Sequence, residues 1–305
     1  YWNIPTDAGV KNQVSVEVGS LAPAQLLATT GLNGDKLAIA QTYNRIGGVL
    51  KHFSDQHSSP TEKFELEVAL AVWNAESGGL PFKPTSNGIP IRFENHIFWD
   101  EMALAHPQIN LTRYFNDAWE KGGNKRIDQW FCRKTGGCDQ PIDDGSILGD
   151  WVNLWESKGW EIVNPEPLES WGETLQSSQT KRYAVLEFAK TFHVESAYRS
   201  ISMGGPQIMG ASHDLLPSVD SAQDMYIKFS TSEINQVIGF FEFMENKSHP
   251  TTGIKAIEYA KNHNNNFDGL ARAYNGDSAA VEYAQKICTG YNAARQLFGK
   301  SVVSC

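Results

Sequence analysis

Between Phe64 and Ala75 the chain carries Phe64, Leu66, Val68, Leu70, Ala71, Val72 and Trp73, and it then stops at Glu76-Ser77-Gly78-Gly79. A helix that is apolar on nearly every side has no face to give to water, so this run predicts a buried helix. Ser59-Pro60-Thr61-Glu62 reads as its start: Ser59 as cap, Pro60 in the first helical position, and Glu62 completing a capping box. Glu76 falls at the other end, beside Val72 and Trp73 at helical spacing, and the two glycines break the run. Desolvation and the negative end of the helix dipole are expected to raise the pKa of such a carboxyl group. A carboxylic acid held protonated near neutral pH can serve as a general acid. The competing reading is a polar residue exposed where the helix ends.

The 305 residues allow one large domain or two small ones, with ample core in either case. No apolar run approaches the length of a membrane span. The net charge of -9, from 26 basic and 35 acidic residues without a like-charged block, argues against a nucleic-acid partner. The same charge means that long-range attraction cannot bring the chain to an anionic surface. Cys132, Cys138, Cys288 and Cys305 show no zinc spacing. Sequence neighbours point to Cys132–Cys138 and Cys288–Cys305 disulfides, although four cysteines allow three pairings. The chain begins at Tyr1, as a processed protein would, and Asn110-Leu111-Thr112 and Asn246-Lys247-Ser248 are glycosylation sequons. Together these features predict a secreted protein.

Residues up to about 34 read as irregular. A helix is expected over Asp35 to Phe53, where Leu37, Ala40, Tyr43, Ile46, Leu50 and Phe53 recur every three or four residues. Gly88 to His96 alternates, with Ile89, Ile91 and Phe93 on one face and Arg92, Glu94 and His96 on the other, as one arm of a hairpin would. Residues 100–178 are rich in Gly, Asp and Trp and poor in periodicity, and read as an elaborated insertion. Its six tryptophans could stack on sugars, but plain core packing is the favoured reading, since Trp buries a large area wherever it sits. Helices then follow over Lys181–Arg199, Ser221–Asn246, Thr252–Asn262, Phe267–Tyr274 and Ser278–Phe298. The expectation is a mainly α, α+β fold in one domain over 1–305, with an extension over 1–55 and the insertion over 100–178.

Three motifs stand in order: Glu76-Ser77, then Ser202-Met203-Gly204-Gly205-Pro206-Gln207-Ile208-Met209-Gly210, then Ala271-Arg272-Ala273-Tyr274-Asn275-Gly276. The pattern resembles the lysozyme superfamily in its goose-type and lytic-transglycosylase branch. It is closer still to the N-acetylmuramidase domain of phage endolysins and of bacterial and fungal secreted muramidases. To that domain's Arg-Phe-Glu-x-His element correspond Arg92-Phe93-Glu94-Asn95-His96. The resemblance covers about 62–99 and 181–298. It implies a lysozyme-like helical domain with a small β-hairpin lining a cleft. It also implies a monomeric muramidase that needs no metal or cofactor. Its substrate would be bacterial peptidoglycan, cleaved between N-acetylmuramic acid and N-acetylglucosamine, with neither nucleic acid nor membrane as partner.

Cleaving a β-1,4 glycosidic bond needs an acid on the leaving oxygen and usually a second carboxylate for the water or the oxocarbenium charge. Glu76 suits the first role. Glu94 suits the second, because Arg92 shares its face and should hold it ionised. A structural Arg92–Glu94 salt bridge is the competing reading, and Asp100 and Glu101 are rivals. Ser77, Arg92, His96, Ser202, Gly204, Gln207, Tyr274 and Asn275 are expected to line the substrate site. Gly204 would let the backbone approach a sugar, and Gln207 can both donate and accept. Tyr274 and Asn275 join the site on the resemblance alone, since Asn-Gly also ends helices. Glu195-Ser196 repeats the dipeptide inside a helix, lacks the glycine stop, and reads as structural. A lytic transglycosylase would need no second carboxylate, so Glu94 separates it from a hydrolase. A chitin-directed hydrolase and an inactive wall-binding module are the remaining alternatives.

Overall fold

In the computed structural model the apolar run from Leu66 onward is a helix with its middle sealed from water, as its composition demands. The structure describes residues 3–4, 14–15, 21–79, 88–94, 97–98, 101, 104–105, 178–190, 193–276 and 280–304. These form two compact units, one of residues 1–90 with 202–305 and one of residues 91–201. The architecture is mainly helical with small antiparallel sheet elements, as expected.

In the first unit, strands β1 (Asn3–Ile4) and β2 (Val14–Ser15) pair antiparallel, where irregular chain was expected. Helix α1 runs over Gly34–Gln56 and α2 over Leu66–Ser77. Val68, Leu70, Val72 and Trp73 of α2 are fully buried. Each such side chain contributes about 1.5–3 kcal/mol relative to leaving it in water.

The expected start of α2 is wrong by several residues. Ser59 Oγ does accept the Glu62 N–H at 3.0 Å, but the Ser59 N–H also donates to the Glu62 carbonyl at 2.7 Å. A helix bonds in the opposite sense, later N–H to earlier carbonyl, so Ser59–Glu62 closes a tight turn and no helix propagates from it. Extended Glu65 precedes the first helical residue instead.

Further along this unit, β4 (Ile201–Met203) and β5 (Ile208–Met209) form a hairpin with Ser202 opposite Met209 and Met203 opposite Ile208. A 3-10 turn over Gly210–Leu215 follows. The expected helix over Ser221–Asn246 is two helices, α5 (Ala222–Thr231) and α6 (Glu233–Asn246). Ser232 breaks the run by adopting extended backbone, and its side chain caps α6 through the Ile234 N–H. Helices α7 (Ala256–Lys261), α8 (Asp268–Asn275) and α9 (Ala280–Leu297) complete it, and α9 packs along α2.

Asn246 ends α6 with Nδ2 donating to the Leu215 and Glu242 carbonyls at 3.0 and 3.1 Å. Attaching the sugar expected at this sequon would remove one of these two hydrogens and leave the other to donate. Asn110 lies outside the described residues.

After α9 the tail turns back. The Asn292 carboxamide holds Val303 at both backbone groups (2.8 and 2.9 Å), and Lys300 pairs with buried Glu67. Buried Cys288, one helical turn before Asn292, is disulfide-bonded. Cys132, Cys138 and Cys305 lie outside the described residues. Because Val303 is held one turn from Cys288, non-reducing peptide mapping should find Cys288 joined to Cys305. A Cys288–Cys132 or Cys288–Cys138 peptide would contradict this.

The second unit holds β3, here only Ile91–Phe93, with α3 (Gln179–Lys190) and α4 (Val194–Arg199). The single helix expected over Lys181–Arg199 is thus also two. His193 is extended and caps α4 by accepting the Ser196 N–H, which gives Glu195-Ser196 the structural setting expected of it. Buried Gln179 spans both backbone groups of Ile91 at 3.2 and 2.9 Å, and the Glu94 N–H donates to the Ser200 carbonyl at 2.7 Å.

Candidate active site

Glu76 is the penultimate residue of α2, and its half-buried side chain lies three residues beyond a buried stretch that ends at Trp73. Gly78 closes the helix in the left-handed conformation (φ 64°, ψ 25°), its N–H reaching the Asn74 carbonyl at 2.9 Å. Glycine adopts this backbone without the Cβ penalty, which is why the Gly pair reads as a stop.

Two tyrosines stand behind the carboxylate. The Tyr283 hydroxyl, from α9, donates to Glu76 Oε1. The Tyr274 ring, from α8, stacks on Tyr283 with centroids 6.2 Å apart and planes 18° from parallel. The Tyr274 hydroxyl in turn donates to the Pro206 carbonyl at 2.7 Å. Burial, and next the negative charge of Glu76, push both phenols well above the usual tyrosine range, so both remain protonated donors. The structure thus links the Glu76 end of α2, the Ser202–Gly210 loop and the Ala271–Gly276 motif through one chain of contacts.

That loop is built around its glycines. Gly205 packs against the buried Trp73 ring and donates its N–H to Gln236 Oε1 at 2.8 Å. Gln207, with left-handed backbone (φ 49°), gives Nε2 to the Pro90 and Gly204 carbonyls at 3.1 and 2.6 Å and accepts the Ser202 hydroxyl at 3.1 Å. Both amide hydrogens of Gln207 and one lone pair of its oxygen therefore fix the loop. The Ser77 hydroxyl turns back to the Trp73 carbonyl at 3.3 Å. Asn275 is exposed at the end of α8, where Gly276 takes a backbone (φ 83°, ψ -177°) open to glycine.

Glu76, Ser77, Ser202, Gly204, Gln207, Tyr274 and Asn275 all belong to the first unit, and Arg92 and Glu94 to the second. Glu94 is ion-paired with Arg92 at 2.9 Å, with 19% of its side chain exposed against 58% for the arginine. Of the rivals, Glu101 is likewise ion-paired, at two points with Arg199 (2.5 and 3.2 Å). His96 and Asp100 lie outside the described residues. Among the described residues no three metal-ligating side chains cluster.

Tyr283 is the residue that sequence reasoning missed. On α9 it sits in an apolar stripe with Ile287, Tyr291 and Ala294, all buried, and reads as core. The available signal was its hydroxyl, which a buried tyrosine must pair. Tyr283→Phe should cost about 1.5 kcal/mol of orientation, or roughly tenfold in turnover. It should also move the basic limb of the pH–rate profile upward, because the lost donor favours the charged carboxylate. An unchanged profile would remove Tyr283 from the site.

Compared with known protein families, residues 65–295 match the Muramidase model, described as N-acetylmuramidase. The chain belongs to the N-acetylmuramidase family. It is accordingly a glycoside hydrolase of the muramidase type, with peptidoglycan as substrate. The matched region of this muramidase opens at Glu65, just before α2, and closes on α9. No curated protein matches the chain. Among solved structures, a Burkholderia AP3 phage endolysin is similar at 17% identity and a TM-score of 0.49, over 82% of this chain and 71% of that one.

Proposed function

We infer that the protein is a secreted muramidase that hydrolyses the β-1,4 bond between N-acetylmuramic acid and N-acetylglucosamine, with Glu76 as general acid. The observation that carries this reading is the Glu76 carboxylate, half-buried at the end of a helix whose middle is core, oriented by the Tyr283 hydroxyl and backed by Tyr274. Tyr283 occupies Oε1, which leaves Oε2 to carry the proton to the leaving oxygen. Glu94 is the second carboxylate: it orients or deprotonates the attacking water, and Arg92 fixes its direction. The disulfide at Cys288 supports an oxidising, extracellular setting.

Glu94 decides between water and an intramolecular hydroxyl as the acceptor. Glu94→Gln should cut hydrolysis by roughly 10²-fold or more while leaving binding of peptidoglycan fragments within about twofold of wild type. If Glu94→Gln turns over at the wild-type rate, Glu94 has no catalytic role. The lytic-transglycosylase reading, which needs Glu76 alone, then takes its place.

A further inference from the structure

Helix α1 precedes the region matched to the family, yet three of its side chains hold the end of α2. Asp35, in its first turn, accepts the Asn74 Nδ2–H at 2.9 Å, two residues before Glu76. Thr42, 1% exposed, has Oγ1 2.8 Å from the Gly79 carbonyl and 2.9 Å from its own Ala38 carbonyl. Arg45 donates Nη2–H to the same Gly79 carbonyl at 2.6 Å and Nε–H to Glu233, at the start of α6, also at 2.6 Å.

The fit around Gly79 is close. Its backbone is left-handed (φ 77°), and a Cβ there would lie 2.2 Å from Thr42 Oγ1. A helix ends with carbonyls that lack intrahelical partners and carry partial negative charge. Here α1 supplies both a hydroxyl and a guanidinium to the carbonyl just past that end. Arg45 is itself fixed by Glu233, so the brace ties three helices to one atom.

We propose that Thr42 and Arg45 are positioning residues for Glu76, and that α1 is part of the working enzyme rather than an appendage. They set the pitch of the last turn of α2 and the direction in which the chain leaves it. Glu76 lies in that turn, between Asn74 and Gly79, which α1 holds on either side. The proposal rests on Glu76 being the general acid. General-acid catalysis is sensitive to sub-ångström placement, whereas binding by the rest of the site is not.

The test compares Thr42→Val and Arg45→Met with Asn44→Ala. Asn44 lies on the same helix and makes two hydrogen bonds to Leu27, at 2.7 and 2.8 Å, but none to the end of α2. Kinetics are measured on soluble peptidoglycan fragments, well below the lowest melting temperature of the set. Both brace variants should lose roughly tenfold in kcat with KM within about twofold of wild type. Asn44→Ala should lower the melting temperature and leave kcat alone. Thr42→Val is nearly isosteric, and it carries the test if Arg45→Met folds poorly. Wild-type kcat in Thr42→Val, or an equal loss in Asn44→Ala, overturns the brace. If in that case Glu76→Gln is still inactive, the catalytic reading stands without the brace. A Glu76→Gln variant that retains activity overturns both.

Discussion

Glu76→Gln should fold as the wild type does and lose roughly 10²–10⁴-fold in turnover, the usual contribution of a general acid. The substitution keeps the shape of the side chain and keeps an oxygen to accept from Tyr283. It removes only the proton that the leaving group needs. Stability should change little, because the residue is half-buried and its partner remains satisfied. Steady-state assay beside thermal unfolding separates the two effects. Retention of more than about a tenth of wild-type turnover would place the acid elsewhere.

Gly205→Ala should be costly although it adds a single methyl group. The new Cβ would stand 2.2 Å from Trp73 Cε2 and Nε1 and 2.4 Å from Cζ2. The ring cannot yield, because Trp73 is fully buried and meets Phe240 edge-on at 5.9 Å. The backbone cannot yield freely either, since the Gly205 N–H is held by buried Gln236. Overpacking of this kind costs about 2–3 kcal/mol, which would lower the melting temperature by roughly 5 °C. Activity should fall as well, because Pro206, the next residue, anchors the Tyr274 hydroxyl. An unchanged melting temperature would mean that the loop does not pack on Trp73 in solution.

The parts of this architecture that were legible in the sequence are those in which local chemistry and packing agree. The helix that carries Glu76 near its end is apolar on nearly every side and closed by a left-handed glycine, so composition and backbone preference mark the same end. Helix α1 was legible from its stripe, with Ala40, Ile46 and Leu50 fully buried. Helix breaks were not. Ser232 and His193 interrupt runs whose apolar spacing continues through them, and each does so by capping the next helix with its side chain. Periodicity is blind to a cap in mid-run. The start of α2 failed for the converse reason: a capping-box sequence spent its hydrogen bonds on a turn.

At the site, motifs with unusual residues were found and partners with ordinary ones were not. Glu76 and the Gly204–Gln207 loop are conspicuous because glycines and a carboxylate interrupt apolar sequence. Tyr283 and Arg45 are 207 and 31 positions from Glu76 and carry no local mark. A tyrosine on a core stripe and an arginine on an amphipathic helix are what the bare pattern predicts. Only the folded chain brings the first to Glu76 and the second to Gly79.

The most direct test of the account is mass spectrometry of peptidoglycan digested by the purified protein and then reduced with borohydride. Hydrolysis by water at the proposed bond gives fragments ending in reducible N-acetylmuramic acid, and Glu76→Gln should release them roughly 10²–10⁴-fold more slowly. Fragments ending in non-reducible anhydro-muramic acid would contradict hydrolysis. Fragments ending in reduced N-acetylglucosamine would contradict the proposed bond.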